Sequence, residues 1–448
     1  MFNPFKVLKR LKPPQTIALA MAGVLFVGTA LLQLPIAAHP GNHPRFVDSL
    51  FTAASALSVT GLITQDTPTF WTAFGHVVIL CLIQIGGFGV MSLATLLSLA
   101  TFRKLGVATR VNAISETKSD GMGEAKSAVR GILYTTVTVE TVLALTLTLR
   151  FWLHYEYPPL KAVWFGIFHS VSAFNNAGFA LFSDSLMPFA NDPLILLPIS
   201  SAIIIGGLGF PVVVELIKRY RFPHFWSMHT KLVLTGTGLL LVLGTLYILL
   251  LEWSNPATLG SMPVWQKILG GFFQSVTSRT AGFNAMDTSQ MHPGSWLGTD
   301  ILMFIGASPA GTGGGLKVTT LLVIAFIVRS ELRGDRAVLI FNKRLSRAVH
   351  RQAITVASLM AMLVLVATVI LLDVEGQTLD RVLFEVVSAI STTGLSTGIT
   401  SSLADVSKYI LVVLMFIGRV GPITLGAALG LRRRPVLYSP PKERPIIG

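Results

Sequence analysis

The sequence predicts an all-α polytopic membrane protein made of four pseudo-repeats, because of its composition, its apolar runs and the spacing of its glycines. Of the 448 residues, 52% are hydrophobic and only 12% are charged. The mean hydropathy of +0.67 is far above that of a soluble domain of this size. Eight apolar runs are long enough to cross about 30 Å of hydrocarbon as helices. They fall at about 16–36, 70–100, 131–152, 193–217, 230–251, 297–328, 352–372 and 408–430.

A glycine recurs at intervals of about one quarter of the chain. The four residues are Gly61, Gly178, Gly282 and Gly394, which by subtraction are 117, 104 and 112 residues apart. Each has a phenylalanine ten residues upstream, and the glycine of an Ile-Gly pair follows 25, 28, 24 and 24 residues downstream. A period of this length predicts fourfold internal repetition. Four copies of one unit in a single chain suggest a ring around an axis.

A short, half-polar segment of about 10–14 residues ends at each of these glycines. Because it is too short to cross the membrane, we expect a re-entrant helix there. Each pseudo-repeat is therefore predicted as a span, a re-entrant helix, an extended turn and a second span. The predicted divisions are repeat 1 at 1–100, a cytoplasmic linker at 101–130, repeat 2 at 131–225, repeat 3 at 228–334, a second cytoplasmic linker at 335–350, repeat 4 at 351–431 and a cytoplasmic tail at 432–448.

The positive charges are divided unequally between the two sides of these spans. By the positive-inside rule, the richer side is cytoplasmic, so both termini and the linkers are expected in the cytoplasm and the re-entrant helices outside. The formal net charge of +14 then reflects topology, and we expect a lipid bilayer rather than nucleic acid as partner. Only 7 of the 35 Lys and Arg residues fall on the side of the re-entrant helices: Arg45, Arg150, Lys161, Lys267, Arg279, Arg381 and Lys408.

The second span of repeat 3 is interrupted by the run GASPAGTGGGLK at 306–317. Its five glycines and one proline disfavour a helix, since relative to alanine Gly costs about 1 kcal/mol and Pro about 3 kcal/mol. Irregular backbone at this depth is tolerated only where protein or a water-filled cavity satisfies it. We therefore expect a mobile intramembrane loop at about 306–317. A nucleotide cradle is not expected, because the run lacks the order GxxxxGK[ST].

Two arginines stand where an unpaired charge is expensive. Arg419 lies within the second span of repeat 4 at the depth of the loop, and an intramembrane arginine indicates function. Arg279 precedes Gly282 by three residues, so we expect its side chain to turn away from the axis towards a carboxylate such as Glu385 or Asp48.

Other features of the spans have simpler interpretations. Glycines cluster in the second spans of repeats 1 and 2, at 86–89 and 206–209, which predicts close helix packing within continuous spans. The single cysteine, Cys81, excludes a disulfide framework and a cysteine metal site. We expect it to be buried.

The four glycine turns predict cation chemistry at the axis. Re-entrant helices that end there direct the negative ends of their dipoles inward, and glycine allows positive φ, which leaves carbonyl oxygens free to face the axis. A ring of carbonyls can replace the hydration shell of an alkali cation. An ordinary helix C-cap is the alternative for any single turn. The predicted ligands of the alkali cation are the main-chain oxygens of Val59, Thr60, Gly61, Asn176, Ala177, Gly178, Thr280, Ala281, Gly282, Thr392, Thr393 and Gly394.

The predicted fold is thus four pseudo-repeats of span, re-entrant pore helix, filter turn and span around one central pore. It resembles the Ktr/Trk/HKT superfamily of potassium transporters over nearly the whole chain. The resemblance rests on the repeats, on SRTAGFN around Gly282, on the broken span GASPAGTGGGLK and on the arginine in GRVGP. Without two extra N-terminal spans, the chain is more similar to the KtrB subfamily, membrane subunits of bacterial Ktr systems, than to TrkH. Glycine at all four turns resembles the potassium-selective members.

This resemblance implies potassium uptake across the bacterial inner membrane by a homodimer with no enzymatic activity. It implies a cytosolic octameric ring of KtrA-type regulatory subunits that carries the nucleotide, and no covalent cofactor on this chain. Potassium is the implied substrate, and activation by sodium is left open. The implied gate consists of Gly311, Thr312, Gly313, Gly314, Gly315 and Lys317, with Arg419 holding the loop closed.

Alternatives differ in how far the sequence supports them. A TrkH-like or sodium-permeable member of the superfamily stays open, as does coupled against channel-like transport. An intramembrane enzyme is not expected, since His76 and His169 accompany no GxSxG-like elbow. A proton- or sodium-coupled carrier would use repeated buried carboxylates, whereas Glu140 has no counterpart in the other repeats and its role is unassigned.

Overall fold

A computed structural model describes residues 13–102, 121–422, 424 and 426, and this part of the chain is mostly helical. Residues 1–12, most of the predicted linker 101–130 and the predicted tail 432–448 lie outside the described residues. The helices are α1 Pro13–Leu32, α2 Phe46–Ser58, α3 Ala73–Phe102, α4 Gly121–Leu153, α5 Pro159–Phe174, α6 Pro193–Leu208, α7 Phe210–Arg219, α8 Met228–Glu252, α9 Val264–Thr277, α10 Pro293–Phe304, α11 Val318–Leu332, α12 Arg347–Glu375, α13 Leu379–Ser391 and α14 Asp405–Val420. Single helical turns lie at Pro35–Ala37, Thr67–Phe70, Met187–Phe189, Pro223–Phe225, Thr288–Gln290 and Thr400–Ser402.

Four helices, α1, α4, α8 and α12, are long and apolar enough to cross a membrane. Only 22–33% of their apolar windows is buried inside the protein. Outward apolar faces of this length need hydrocarbon around them, because their exposure to water would carry a large free-energy cost. The chain is therefore a multi-pass membrane protein.

The short helices α2, α5, α9 and α13 contain 13, 16, 14 and 13 residues, too few to span hydrocarbon. Each packs against the long helix that precedes it, namely α1, α4, α8 or α12. Each also packs against a later helix of the preceding quarter of the chain: α5 against α3, α9 against α6, α13 against α10, and α2 against α14. The last contact joins the final quarter to the first, so the packing order is cyclic.

The apolar run 193–217 does not form the one continuous span that the sequence predicts, and that prediction is wrong. The run forms α6 and α7, which meet at an angle of 102°. Gly209 at the break has φ +85°, a conformation that favours glycine. A Cβ there would also lie 2.5 Å from the Pro309 carbonyl oxygen. The bend therefore makes room for the segment that follows α10.

Large aromatic side chains fill the interior beside the short helices. Phe51, Phe168, Phe273 and Phe384 are fully buried. In repeat 3 the buried ring belongs to Phe273 rather than to Phe272, the residue ten positions before Gly282, because Phe272 is only partly buried. Each short helix thus contributes a fully buried phenylalanine ring to the interior, with a one-residue shift in the third.

Two features depart from the sequence predictions. A small antiparallel hairpin, β1 Leu339–Ile340 with β2 Lys343–Arg344, lies in the predicted all-α chain within the linker 335–350. Cys81, which we expect from the sequence to be buried, is exposed. That expectation is wrong because an apolar span in a membrane protein has an outward face that suits a thiol as well as the interior does.

Candidate functional site

All four short helices end in the same unusual backbone conformation. The residue two positions before each recurring glycine has a left-handed φ, at 59°, 59°, 71° and 53° for Val59, Asn176, Thr280 and Thr392. The glycines follow with φ of 95°, 70°, 78° and 95°. A β-branched residue such as valine is a genuine outlier in this region, and such strain persists only where the surrounding structure imposes it.

The hydrogen bonds at these ends are those of helix C-caps. The N–H groups of Thr60, Ala177 and Thr393 each donate to the carbonyl oxygen five residues earlier, at 2.8, 2.7 and 2.9 Å. This pattern satisfies carbonyls that the helix leaves unpaired. Each turn taken alone is therefore an ordinary helix C-cap. Any further role depends on how the four turns are arranged around one another.

The four turns meet in a closed ring. A Cβ built on Gly61 would lie 2.5 Å from the Ala177 carbonyl oxygen. The same overlap recurs at each glycine, always with the carbonyl oxygen of the residue that precedes the next glycine. The overlapping pairs are Gly61 with Ala177, Gly178 with Ala281, Gly282 with Thr393 and Gly394 with Thr60. This places the twelve residues predicted as cation ligands in four adjoining turns, with no room for a side chain at any central glycine.

A hydroxyl group behind each turn fixes its main chain, and sequence reasoning missed these residues. Two of them accept the N–H of the central glycine at 3.0 Å. The other two donate to the carbonyl oxygen of the residue after that glycine, at 2.8 and 2.6 Å. The sequence feature that could have identified them is a Ser or Thr five or six residues before each glycine. The residues are Ser55, Ser388, Ser172 and Thr277, in that order.

An open cavity of about 510 Å³ lies on one side of the ring, and all four glycines line it. The carboxylates Asp66, Asp184 and Asp287 also line it, and within the described chain no Lys, Arg or His does. A cleft lined by charges of one sign concentrates counter-ions. This vestibule therefore favours cations.

The loop 305–317 packs against the opposite side of the ring. The Thr312 hydroxyl donates to the Asn176 amide oxygen at 3.2 Å, and the Gly314 N–H donates to the Thr392 hydroxyl at 3.1 Å. A Cβ on Gly313 would overlap the Thr280 hydroxyl. The loop thus touches the left-handed residues of three of the four turns. Beyond it lies a second cavity of about 630 Å³.

The bent pair α6–α7 holds one edge of this loop. The Ser308 N–H donates to the Gly207 carbonyl at 3.0 Å, and the Thr312 N–H donates to the Gly206 carbonyl at 3.1 Å. Backbone carbonyls of a continuous helix would be occupied within the helix. The glycine cluster of repeat 2 therefore serves the loop as well as the predicted helix packing.

Two basic side chains, those of Arg419 and Lys317, donate hydrogen bonds to main-chain carbonyls of the loop. Arg419 donates through Nη1 to the Thr312 carbonyl and through Nη2 to the Gly86 carbonyl, the latter at 2.6 Å. Lys317 Nζ donates to the carbonyls of Gly313 and Gly314, at 2.7 and 3.2 Å. Neither side chain forms a salt bridge with a carboxylate in the described residues. Every predicted gate residue lies in or against this loop.

The expected pairing of Arg279 with Glu385 or Asp48 is wrong. Arg279 is buried and its Nη2 lies 3.4 Å from the Thr237 hydroxyl. Asp48 instead pairs with Arg45 and Lys408, and Glu385 accepts from the Thr397 N–H at 3.0 Å and the Thr400 hydroxyl at 2.7 Å. Sequence order could not reveal this, because the partners come from other elements.

Glu140, which the sequence left without a role, supports the second turn. Its two carboxylate oxygens accept from the amides of Gln84 and Asn175, at 3.3 and 3.1 Å. The side chain of Asn175 occupies the space that a Cβ on Gly87 would fill. The carboxylate thus stands behind the residue that precedes Asn176.

Known proteins are similar to this chain in sequence and in fold. A family model described as a cation transport protein, TrkH, matches residues 11–429. The chain is 39% identical over 422 residues to Ktr system potassium uptake protein B from Bacillus subtilis, covering 94% of each chain. It is 33% identical over 449 residues to the potassium/sodium uptake protein NtpJ from Enterococcus hirae, covering 99% of each. The crystal structure of the potassium transporter TrkH from Vibrio parahaemolyticus has the same fold, with a TM-score of 0.72 and 20% identity over 94% of this chain and 86% of that one.

Proposed function

The chain belongs to the TrkH family of cation transport proteins, and from this premise we propose that it carries potassium into the bacterial cell through the ring of four glycine turns. The observation that supports this proposal most directly is that each central glycine lies against a carbonyl oxygen of the next turn, around a closed circle. The relative from Bacillus subtilis is named a potassium uptake protein, which supports potassium as the substrate. The function is transport rather than catalysis.

In this proposal the main-chain oxygens of the four turns replace the water around a potassium ion. Carbonyl rings do this in potassium pathways, and the C-terminal ends of four short helices add partial negative charge. The vestibule carboxylates raise the local cation concentration before entry. The four-repeat arrangement thereby forms one central pore per chain.

The loop 305–317 is the proposed gate. Its hydrogen bonds and close contacts with three of the turns support a position across the proposed path from the ring to the inner cavity. Two positive charges beside that path, on Arg419 and Lys317, oppose a cation further. Transport therefore requires the loop to leave the ring, with loss of the Arg419 contacts to Thr312 and Gly86.

Regulation and topology extend the proposal. The relative from Bacillus subtilis is named as part of a Ktr system, which supports a partner subunit, and we propose a homodimer on a cytosolic octameric KtrA-type ring that binds the nucleotide. Both termini lie in the cytoplasm in this scheme, and the membrane is the bacterial inner membrane. The name of the relative NtpJ includes sodium, so sodium is proposed as an activator or second permeant ion.

The test is uptake of potassium, rubidium and sodium in a bacterium without its own potassium importers, with a KtrA-type partner supplied. Wild type should restore growth at low potassium, and Gly61→Ser should weaken the preference for potassium because the side chain meets the Ala177 carbonyl. Gly41→Ser is the matched control, since Gly41 has the same φ of +95° and nothing within 4 Å of its Cβ position. No uptake by expressed wild type would refute the function, and equal potassium preference in Gly61→Ser and wild type would refute the ring as the filter.

A further inference from the structure

The inner cavity, of about 630 Å³, lies on the side of the loop 305–317 that faces away from the ring. The basic side chains of Arg419 and Lys317 line it, and no Asp or Glu of the described residues does. Glu215 lies near the lining residue His229, but it already accepts from the Ser227 N–H and hydroxyl, at 2.8 and 2.7 Å. The described chain thus supplies no carboxylate to balance the charge of this cavity.

Arg419 has a donor that the loop does not use. The residue is 4% exposed, and its Nε–H has no hydrogen-bond partner among the described residues. Its other two nitrogens contact main-chain carbonyls, and Lys317 Nζ also contacts only carbonyls. Carbonyl oxygens carry partial charge, whereas a buried cation is costly unless a full opposite charge or a complete set of hydrogen bonds compensates it. An anion in the cavity would complete the compensation of both groups.

The N-terminus of α11 faces the same cavity. Lys317 is the N-cap residue of this 15-residue helix, and Thr319 and Thr320 in its first turn line the cavity. In the part of the chain that the structure describes, neither threonine hydroxyl forms a hydrogen bond, and the Thr319 N–H donates to no carbonyl. A helix N-terminus carries partial positive charge, and its free N–H groups bind anions. These donors therefore add to those of the two basic side chains.

The kinds of donor around the cavity indicate the class of anion. A guanidinium N–H, an ammonium group, two hydroxyls and a main-chain N–H suit an ion that presents several charged oxygens, and Arg and Lys are the usual phosphate binders. The cavity also has room for such an ion with water around it, since one water molecule takes about 30 Å³. We propose that the inner cavity binds a phosphate-class oxyanion between Arg419 and Lys317, at the N-terminus of α11.

The bound oxyanion stabilises the loop in the position that the structure shows. It joins α14, through Arg419, to the end of the loop at Lys317, and this arrangement exists only while the loop lies against the ring. A ligand that binds one of two states better shifts the equilibrium towards that state. The oxyanion therefore lowers flux, and this regulatory part of the inference rests on the proposed function.

Threonines provide matched test variants. The double variant Thr319→Val with Thr320→Val removes two hydroxyls that bond to no described residue, so the protein loses no hydrogen bond of its own. Thr146 and Thr245 lie outside the cavity, and their hydroxyls donate to carbonyls of their own helices, at 2.8 and 2.7 Å. The double variant Thr146→Val with Thr245→Val is therefore the control.

The first measurement is binding of radiolabelled inorganic phosphate to the full chain in detergent. Wild type and the control should bind one phosphate per chain, with competition by sulfate and none by chloride at equal ionic strength. The variant of Thr319 and Thr320 should need an at least about tenfold higher phosphate concentration for half-saturation, because hydrogen bonds to a charged group are lost. Lys317→Met should abolish saturable binding. No saturable binding by wild type, equal competition by chloride, or wild-type affinity in either cavity variant would overturn the proposal.

A second binding experiment distinguishes free phosphate from a lipid headgroup as the source of the oxyanion. Phosphatidylglycerol is added to the delipidated chain together with labelled phosphate. Displacement of the label from wild type and the control would assign the site to a headgroup. Retention of the label would assign it to free phosphate, and either result supports an oxyanion site in the cavity.

Rubidium flux in vesicles tests the effect on transport. Flux with phosphate on both sides of the membrane should be lower than with chloride at equal ionic strength for wild type and the control, and the variant of Thr319 and Thr320 should lose most of this difference. Equal flux in the two media, with phosphate bound, would refute the regulation. If wild type binds phosphate but carries no rubidium in either medium, the transport function fails and the oxyanion site stands.

Discussion

Single residues behind the ring control its geometry, and Glu140 is the clearest case. Its oxygens accept from two amides, those of Gln84 and Asn175. In Glu140→Gln one acceptor becomes a donor, so the side chain can accept from only one of the two amides, and a lost hydrogen bond costs about 0.5–1.5 kcal/mol. We expect a lower thermal midpoint in detergent and a weaker preference for potassium over sodium. Glu331→Gln on the exposed face of α11 should change neither the thermal midpoint nor the ion preference. Wild-type values of both in Glu140→Gln would contradict the role of Glu140 in supporting the second turn.

Arg419 is the second residue with a separable role, since its guanidinium joins carbonyls on two elements. Arg419→Ala removes both contacts, to Thr312 and to Gly86, and should raise rubidium uptake at equal expression. Arg419→Lys keeps the charge but a single ammonium lacks the planar fork that reaches both carbonyls. An intermediate flux is therefore expected for the lysine variant. Wild-type flux in Arg419→Lys would show that the charge alone matters. Unchanged flux in Arg419→Ala would contradict the role of Arg419 in holding the loop.

At the scale of elements, the loop 305–317 is the proposed gate of the path. Removal of Thr312–Gly314 deletes its bonds to the Asn176 and Thr392 side chains. We expect higher flux with an unchanged preference for potassium over sodium, because the ring itself is untouched. The measurement is uptake of both ions at matched expression. Lower or equal flux by a well-expressed variant would remove the assignment of this loop as the gate.

The elements also show which structural features local sequence can predict. Short half-polar segments ending at glycine predict helices such as α2, because length and turn chemistry are local properties. The bend at Gly209 escapes such reasoning because 193–217 is mostly apolar and the bend depends on the Pro309 carbonyl, which is distant in sequence. The partner of Arg279 escapes it for the same reason, since Thr237 lies on α8. The cation ligands and the gate stay predictions.

At the scale of the whole molecule, the first and last repeats must hold together to complete the ring. Lys408 Nζ lies 3.5 Å from Asp48 Oδ1, with side chains 5% and 2% exposed. Without Lys408, the buried Asp48 carboxylate keeps only Arg45, whose side chain is 57% exposed, as a charged partner. The cost is therefore below the value of about 3–5 kcal/mol for a buried charge that is left fully uncompensated. Lys408→Met should still lower the thermal midpoint and reduce potassium preference.

The control for this closure is a neighbouring exposed pair. Arg45 and Asp405 also join α14 to the region before α2, at 2.9 Å, but both side chains are more than half exposed. Surface pairs contribute little to stability, so Asp405→Asn should leave the thermal midpoint near that of wild type. Equal effects of Lys408→Met and Asp405→Asn would contradict a specific role for the buried pair.

The loop belongs to repeat 3 alone, although it contacts turns of repeats 2, 3 and 4. Four separate identical subunits would each carry such a segment, and their independent movements would give graded conductance. In the proposed mechanism one segment obstructs the whole path, so its departure is a single event. Electrical recordings from one reconstituted chain should therefore show a closed level and one open level, without regular fractional steps between them.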